Sequence, residues 1–220
     1  MSTQPRHQRD PASAPAGPGD AGPGDVAGVR RRADAQRSIT AILDAALACF
    51  ASDPDASMTA VARAAGVGRV TLYAHFPSRE ALLEAAQKRA FAELSAALDA
   101  EDLDGVPARE AVARTVRSSW KVLDQHRGLM AASVRHLDPA RLRERHDPVL
   151  ARIERLIARG QDEGVFRTDL PGGWLVAVAY NLSHAAAEEV NAGRLSSAAA
   201  AEVLEATLLA ALASRGTTLA

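Results

Sequence analysis

The sequence predicts an all-α protein, and three observations support this fold class. Hydrophobic residues make up 47% of the 220 residues but aromatic residues only 4%, so the core is built mainly from Ala, Leu and Val, which suit closely packed helices. Apolar residues recur with the i, i+3, i+4 rhythm of helices in one segment after another. Gly, Pro and capping residues such as Ser and Asp separate these segments, as expected at helix ends.

Residues 1–33 predict a disordered N-terminal arm, because they are rich in Pro, Gly and Asp and poor in bulky apolar side chains. The arm ends in Arg30, Arg31 and Arg32. Two interpretations stay open for these arginines. They form either a solvated tail before a helix or a basic arm that lies along phosphates or in the minor groove of DNA.

A first compact domain is predicted over residues 34–83. Its first helix runs from Ile39 to Ala51, where apolar residues keep helical spacing. The loop Asp53-Pro54-Asp55 ends this helix, and Ser57 is placed to cap the next one.

Residues 60–83 contain two short segments with helical apolar spacing, joined at Gly66, which can adopt the left-handed backbone that ends a helix. Leu72 and Phe76 lie four residues apart and give the second segment a buried stripe. The polar side chains of this segment point away from that stripe; they are Arg69, Thr71, Tyr73 and His75. This is the layout of a helix-turn-helix whose second helix enters the major groove of DNA. The alternative is an ordinary helical hairpin within an all-helical protein.

The same stretch resembles the TetR family of transcriptional regulators. The matching positions are Ala62, Ala65-Gly66-Val67, Thr71-Leu72-Tyr73, His75-Phe76, Ser78-Arg79-Glu80 and Leu82-Leu83. The chain departs from the family pattern at Gly68, where Ser or Thr usually caps the recognition helix, and at Val70, where a small residue is frequent. Gly68 can still act as an N-cap, and we expect Val70 to offer an apolar contact to a thymine methyl group.

The resemblance implies a set of DNA-contacting residues. Tyr73 and His75 would reach phosphates, while Arg69 and Thr71 would face base edges or the adjacent backbone. The predicted surface consists of Gly68, Arg69, Val70, Thr71, Tyr73, His75 and Arg79, with Arg30, Arg31 and Arg32 as an auxiliary arm. Because the formal net charge is −1, affinity for double-stranded DNA must come from such a local patch.

A second helical domain, residues 84–220, is reached through a long helix that runs from Arg79 to about Ala100. Further helices are predicted at about 108–125, 129–137 and 149–163. The last two, Trp174–Asn191 and Ser196–Ser214, are apolar on more than one face, which indicates burial on several sides. The natural second partner is another copy of the chain, and the resemblance implies that these helices form the interface of a homodimer.

The resemblance also implies a pocket for a small-molecule effector in the second domain. Pockets are mostly apolar with a few placed polar groups. The candidate ligand-binding residues are Trp120, Met130, Tyr180, Asn181 and His184. Trp120 and Met130 are equally well explained as plain core.

No catalytic, metal or cofactor site is predicted, because the sequence has no phosphate-binding loop, nucleophile elbow or H-E-x-x-H motif. His184 and Glu188 lie four apart on one helix, but two ligands do not close a metal site. The run from Arg141 to His146 is interpreted as a solvated loop or helix face. A single cysteine, Cys49, excludes an internal disulfide, and with no membrane span or signal peptide the expected location is the cytoplasm.

These patterns together predict an N-terminal three-helix DNA-binding domain joined to a C-terminal helical ligand-binding and dimerisation domain. The expected function is that of a ligand-responsive transcriptional regulator, a repressor that a small molecule releases from a palindromic operator. The alternatives are a DNA-binding regulator controlled by a protein partner and an enzyme with a DNA-binding head.

Overall fold

The computed structural model describes residues 23–214, with side chains from residue 29 onward. This part of the chain is helical, with no β-strand and one isolated antiparallel bridge between Phe166 and Ala213. The described helices are α1 (Pro23–Ser52), α2 (Met58–Ala64), α3 (Arg69–His75), α4 (Arg79–Asp99), α5 (Ala108–Gln125), α6 (Arg127–His136), α7 (Pro139–Glu144), α8 (Asp147–Asp162), α9 (Gly172–Asn191) and α10 (Ser197–Leu212).

The chain divides into two units, residues 1–37 and residues 38–220. In the first unit, residues 23–37 belong to α1 and not to a disordered arm, so the expectation for residues 23–33 is wrong, and residues 1–22 lie outside the described part. Pro is tolerated in the first turn of a helix, and the Ala- and Arg-rich sequence that follows favours helix. Arg30, Arg31 and Arg32 are exposed on this helix, and Arg37 pairs with Asp34.

In the second unit, α1, α2 and α3 form a small helical head whose core also includes residues of α4 and α6. Its buried side chains are led by Phe50 on α1, Val61 on α2 and Leu72 on α3, each fully buried. Leu82 and Leu83 of α4 and Leu129 and Ala132 of α6 complete this cluster. The head is therefore closed by helices that continue into the rest of the protein.

The helix ends in the head follow the local sequence signals. Gly66 has φ +67°, as expected for the turn between α2 and α3. The hydroxyl of Ser57 accepts from the Ala60 amide and that of Ser78 from the Ala81 amide, which caps α2 and α4. These signals are local, so the positions of α2, α3 and the start of α4 agree with the sequence-based expectation.

A second core lies among α5, α8, α9 and α10. It includes Val112, Ile157, Leu175 and Leu212, all nearly inaccessible to solvent. Within it, Gly160 of α8 lets Phe166 pack so closely that a Cβ at position 160 would lie 2.0 Å from the Phe166 ring. The glycine at position 160 thus lets one of the few aromatic side chains of this protein pack directly against α8.

The segment after α5 differs from the sequence-based expectation. Helix α6 starts at Arg127 and not at Leu129, and α7 takes up part of the charged run that follows. The Asp138 carboxylate accepts from the Ala140 amide and so caps α7, which has Pro139 at its first position. His146, at the end of the charged run, is buried and not solvated.

Candidate nucleic-acid interface and ligand cavity

Helix α3 presents one anchored face and one open face. Leu72 is fully buried in the head, whereas Val70 is 86% exposed. The predicted surface residues Gly68, Arg69, Thr71 and Tyr73 are exposed as well, and His75 is half-buried. Alternation between an apolar anchor and outward polar side chains is what a helix needs to lie in a major groove without losing its packing.

The start of α3 is open because of Gly68. This residue is the N-cap, with extended backbone angles and no side-chain hydrogen bond. The first backbone amides of α3 are consequently not occupied by a cap hydroxyl. A phosphate oxygen is the kind of acceptor that such amides bind.

Arg79 makes its contacts within the head. Its guanidinium donates to the carbonyl oxygens of Pro54 and Ala56 and lies 5.2 Å from the centre of the Phe50 ring. The side chain thus ties the start of α4 to the loop between α1 and α2. Both terminal nitrogens of Arg79 are therefore engaged within the head, and its expected contact with DNA stays a prediction.

An apolar cavity of about 120 Å3 lies among α4, α5, α6, α9 and α10 and the start of α8. Its size is close to the roughly 150 Å3 of a protein cavity that binds benzene. Of the candidate ligand-binding residues, Trp120, Met130, Tyr180 and His184 line it. Asn181 does not, because its side chain is exposed and donates to the Ala177 carbonyl along α9.

One end of the cavity is a cluster of aromatic and imidazole rings. The ring centres of His146 and Tyr180 are 4.9 Å apart, those of Tyr180 and His184 4.3 Å, and those of His146 and His184 5.4 Å. Phe91 packs edge-on against His146 at 4.6 Å, and the Arg143 guanidinium lies 4.5 Å from the Tyr180 ring centre. We call His146, Tyr180 and His184 the polar end of the cavity.

Burial keeps the imidazoles of this polar end neutral near pH 7. Loss of hydration, with smaller contributions from His146 and Arg143, lowers the pKa of His184 to about 4. Loss of hydration also lowers the pKa of His146 and raises the pKa of the Tyr180 hydroxyl. The Nδ1 of His146 donates to the Leu142 carbonyl at 2.8 Å, so its Nε2 carries a lone pair that can accept a hydrogen bond.

Several polar lining residues were missed from the sequence. Gln87 donates to the Ser133 hydroxyl at 2.6 Å, and the Nε2 of His126 lies 2.7 Å from a Glu93 carboxylate oxygen. The remaining missed polar residues are Thr115, Ser119, His146 and Ser183. Gln87 could have been recognised from the sequence, because it is a polar residue within the apolar stripe of α4. The others come together only through packing.

The cavity lining carries no Asp, Glu, Lys or Arg. Within the described range, no cluster of three or more His, Cys, Asp or Glu residues could hold a metal ion. Glu188, considered as a partner of His184, is exposed while His184 faces the cavity. This arrangement suits a mostly apolar small molecule.

The outer faces of α9 and α10 are separate from the cavity. Trp174 on α9 is 59% exposed and Val203 on α10 is 48% exposed. Leu208 and Leu209 of α10 are instead buried within the single chain. The multi-sided apolar character of α10 therefore divides into a core face and an outer face.

Among the described helices, none is long and apolar enough to cross a membrane.

Comparison with known proteins matches the head most clearly. A model of the family "Bacterial regulatory proteins, tetR family" matches residues 42–86. The repressor LfrR of Mycolicibacterium smegmatis is 37% identical over 83 residues, which are 38% of this chain and 44% of LfrR, so this match spans less than half of that relative. The regulator NfxB of Pseudomonas aeruginosa is 27% identical over 161 residues, which are 71% of this chain and 84% of NfxB.

The fold as a whole also has solved counterparts. LfrR from Mycobacterium smegmatis in complex with proflavine superposes with a TM-score of 0.63 at 26% identity, over 84% of this chain and 98% of LfrR. A TetR-family regulator from Rhodococcus sp. reaches a TM-score of 0.68 at 21% identity, over 80% of this chain and 98% of the other. With the helix-turn-helix geometry of α2 and α3, the family match shows that residues 42–86 form a regulatory domain of the TetR family, and the chain as a whole has the fold of TetR-like regulators.

Proposed function

We propose that this protein is a homodimeric transcriptional repressor that binds a palindromic DNA operator and is released by a small molecule bound in the cavity. One observation carries the proposal. Helices α4 and α6 each contribute to the head core and to the cavity wall. An effector in the cavity would touch the same helices that hold the DNA-binding head.

The connection is short in both helices. On α4, Leu83 is fully buried in the head, and Gln87, one turn further, lines the cavity. On α6, Leu129 belongs to the head core and also lines the cavity. Packed cores rearrange between discrete states and do not deform continuously. A ligand that moves either helix would therefore move the whole head as a rigid unit.

DNA binding is assigned to the exposed face of α3. Arg69 and Thr71 are placed to read base edges, and Tyr73 and His75 to hold phosphates, which position the protein without reading sequence. Val70 adds an apolar contact. Arg30, Arg31 and Arg32 add positive charge near phosphates. Their exposure on a helix favours backbone contact over insertion of an extended arm.

Dimerisation is assigned to the outer faces of α9 and α10. Trp174, Asn181 and Ala185 are exposed residues that recur at intervals of seven and four, which places them on one face of α9. Val203 marks the exposed face of α10. Two-fold symmetry then places two α3 helices about one helical turn apart, ~34–36 Å, on a palindromic site.

The size of the response has a thermodynamic bound. A ligand shifts the equilibrium only by its difference in affinity for the two conformations. To move the population from 1:99 to 99:1 requires about 5.5 kcal/mol of preference. A single hydrogen bond is too small for this, so the effector must fill the cavity.

The test begins with the full chain and a randomised duplex library at fixed salt. Recovery of a palindrome with half-sites one helical turn apart supports the proposal. Recovery of no preferred sequence overturns it. Arg69→Ala should relax the preference at one base position by ~1–3 kcal/mol, while Tyr73→Phe should weaken binding to all duplexes about equally. A compound library is then screened for release of the selected duplex.

A further inference from the structure

The absence of charged side chains from the cavity lining limits the charge that a ligand can carry. None of its lining side chains is Asp, Glu, Lys or Arg. A buried charge without a partner is strongly unfavourable. A permanently charged ligand would therefore enter the cavity without a counter-ion on its walls.

The carboxylate of Glu93, which contacts the lining residue His126, is already paired. Glu93 places one oxygen 2.7 Å from the Nε2 of His126 and the other 3.3 Å from the Nε of Arg89. Arg89 also pairs with Asp44 on α1 at 2.6 Å. Glu93 is thus held between Arg89 and His126, and a cationic ligand that paired with it would have to compete with the Arg89 guanidinium.

The polar end disfavours a cation for a second reason. The Arg143 guanidinium already covers the Tyr180 ring at 4.5 Å, where a ligand cation would otherwise stack. Its positive charge also acts on His146 and His184, whose pKa values it helps to lower. The two imidazoles are neutral near pH 7 and Arg143 does not line the cavity, so the cavity wall offers an anionic ligand no ion pair.

The polar end nevertheless has unused hydrogen-bonding capacity. The Tyr180 hydroxyl and the ring nitrogens of His184 make no hydrogen bond to any residue in the described range. The Nε2 of His146 is an acceptor, since its Nδ1 donates to Leu142. Neutral imidazole nitrogens accept well from an acidic O–H, and the Tyr180 O–H can donate to the same oxygen. The rest of the lining is mainly aliphatic or aromatic.

We propose that the cavity binds an uncharged molecule built on a single aromatic ring that carries a phenol-type hydroxyl, with the hydroxyl at the polar end formed by His146, Tyr180 and His184. The volume of about 120 Å3 is close to that of a cavity that holds one benzene ring, so we take one ring as the core of the ligand. The proposal rests on the proposed function only in taking this cavity as the effector site. It differs in ligand class from the proflavine complex of LfrR.

Four probes that share a benzene ring test the ligand class by titration calorimetry at pH 7.5. They are phenol, anisole, benzoate and phenyltrimethylammonium. We expect phenol to bind at least 10-fold more tightly than either ion. It should bind about 2- to 10-fold more tightly than anisole, which lacks the O–H donor, as expected for one neutral hydrogen bond.

Two matched variants locate the contact, because the chain contains two tyrosines. Tyr180→Phe removes the cavity hydroxyl without changing the ring, and should weaken phenol binding about 2- to 10-fold. Anisole binding should weaken by no more than this factor, because the Tyr180 O–H can donate to the oxygen of either probe. Tyr73→Phe makes the same chemical change on α3 and should leave phenol binding unchanged while weakening DNA binding.

Four results would overturn the proposal: binding of either ion as tight as that of phenol, equal binding of phenol and anisole, an unchanged phenol affinity in Tyr180→Phe, or no binding of any probe. The proposed function is judged separately by the recovered palindrome and by duplex release in the compound screen. Release by a charged compound would keep the function and reject the ligand class.

Discussion

Gly128 of α6 packs directly against the backbone of the DNA-binding head. A Cβ at position 128 would lie 2.0 Å from the Phe50 carbonyl oxygen and 2.7 Å from the Ala51 Cα, both in the last turn of α1. These neighbours are backbone atoms, so no rotamer change relieves the contact. Gly128→Ala should therefore force α6 and α1 apart.

The magnitude follows from two opposing effects. Ordinary van der Waals contact begins at 3.4 Å, so the helices must separate by an ångström or more at this point. Overpacking of this kind costs about 1–3 kcal/mol. Replacing Gly by Ala in a helix returns up to about 1 kcal/mol. The expected net loss is about 1–2 kcal/mol, or roughly 2–8 °C in the unfolding midpoint for a chain of this size.

The matched control is Gly173→Ala. Gly173 is the second residue of α9, as Gly128 is the second residue of α6, and a Cβ there would have no neighbour within 4 Å. Its midpoint should stay constant or rise slightly. Thermal unfolding followed by circular dichroism compares the two variants. Equal midpoints for both would refute the inferred backbone contact between α6 and α1.

Three further predictions concern titration, assembly and base reading. Because the folded pKa of His184 is about 4, below its ordinary 6.5, its contribution to stability is complete above pH 6.5 and is lost as pH falls toward 4. Urea titrations should show at most about 3 kcal/mol lost across this window, and His184→Asn should flatten the slope; an unchanged slope contradicts the burial argument. The double variant Trp174→Glu, Val203→Glu should shift a dimer toward monomer in light scattering, whereas Val134→Glu, on the exposed part of α6, should not. A monomeric wild type at micromolar concentration would contradict dimerisation through α9 and α10. Replacing thymine by deoxyuridine in the selected duplex should weaken wild-type binding but not Val70→Ala binding, and equal losses for both proteins would exclude a methyl contact by Val70.

The helix-turn-helix could be predicted because its signals are local. Gly66 supplies the left-handed turn, Ser57 and Ser78 supply side-chain caps, and Leu72 supplies the buried anchor. Each acts within about four residues of the chain, where sequence spacing equals spatial spacing. The outward face of α3 follows from the same periodicity.

Arg79 shows where motif-based inference stops. Its sequence position adjoins the DNA-binding surface, but its guanidinium reaches carbonyl groups 23 and 25 residues away. The spacing of residues within the motif does not predict these hydrogen bonds to distant carbonyl groups. Likewise, the apolar pattern of α10 predicts burial on several sides but does not say that Leu208 and Leu209 face the core of their own chain while Val203 faces outward.

The sequence by itself determined the helical fold class, the helix-turn-helix and the existence of a second helical domain, because periodicity and capping act over a few residues. Only the tertiary structure decided the cavity and its chemistry. Residues from Gln87 to Leu208 converge on it from six helices, and burial, which no local pattern encodes, lowers the pKa of His184 to about 4. Asn181, one residue from Tyr180, is excluded because the rotation of about 100° per residue turns its side chain away from Tyr180 to an exposed face of α9. Which side faces the cavity is set by how α9 packs against α8 and α10.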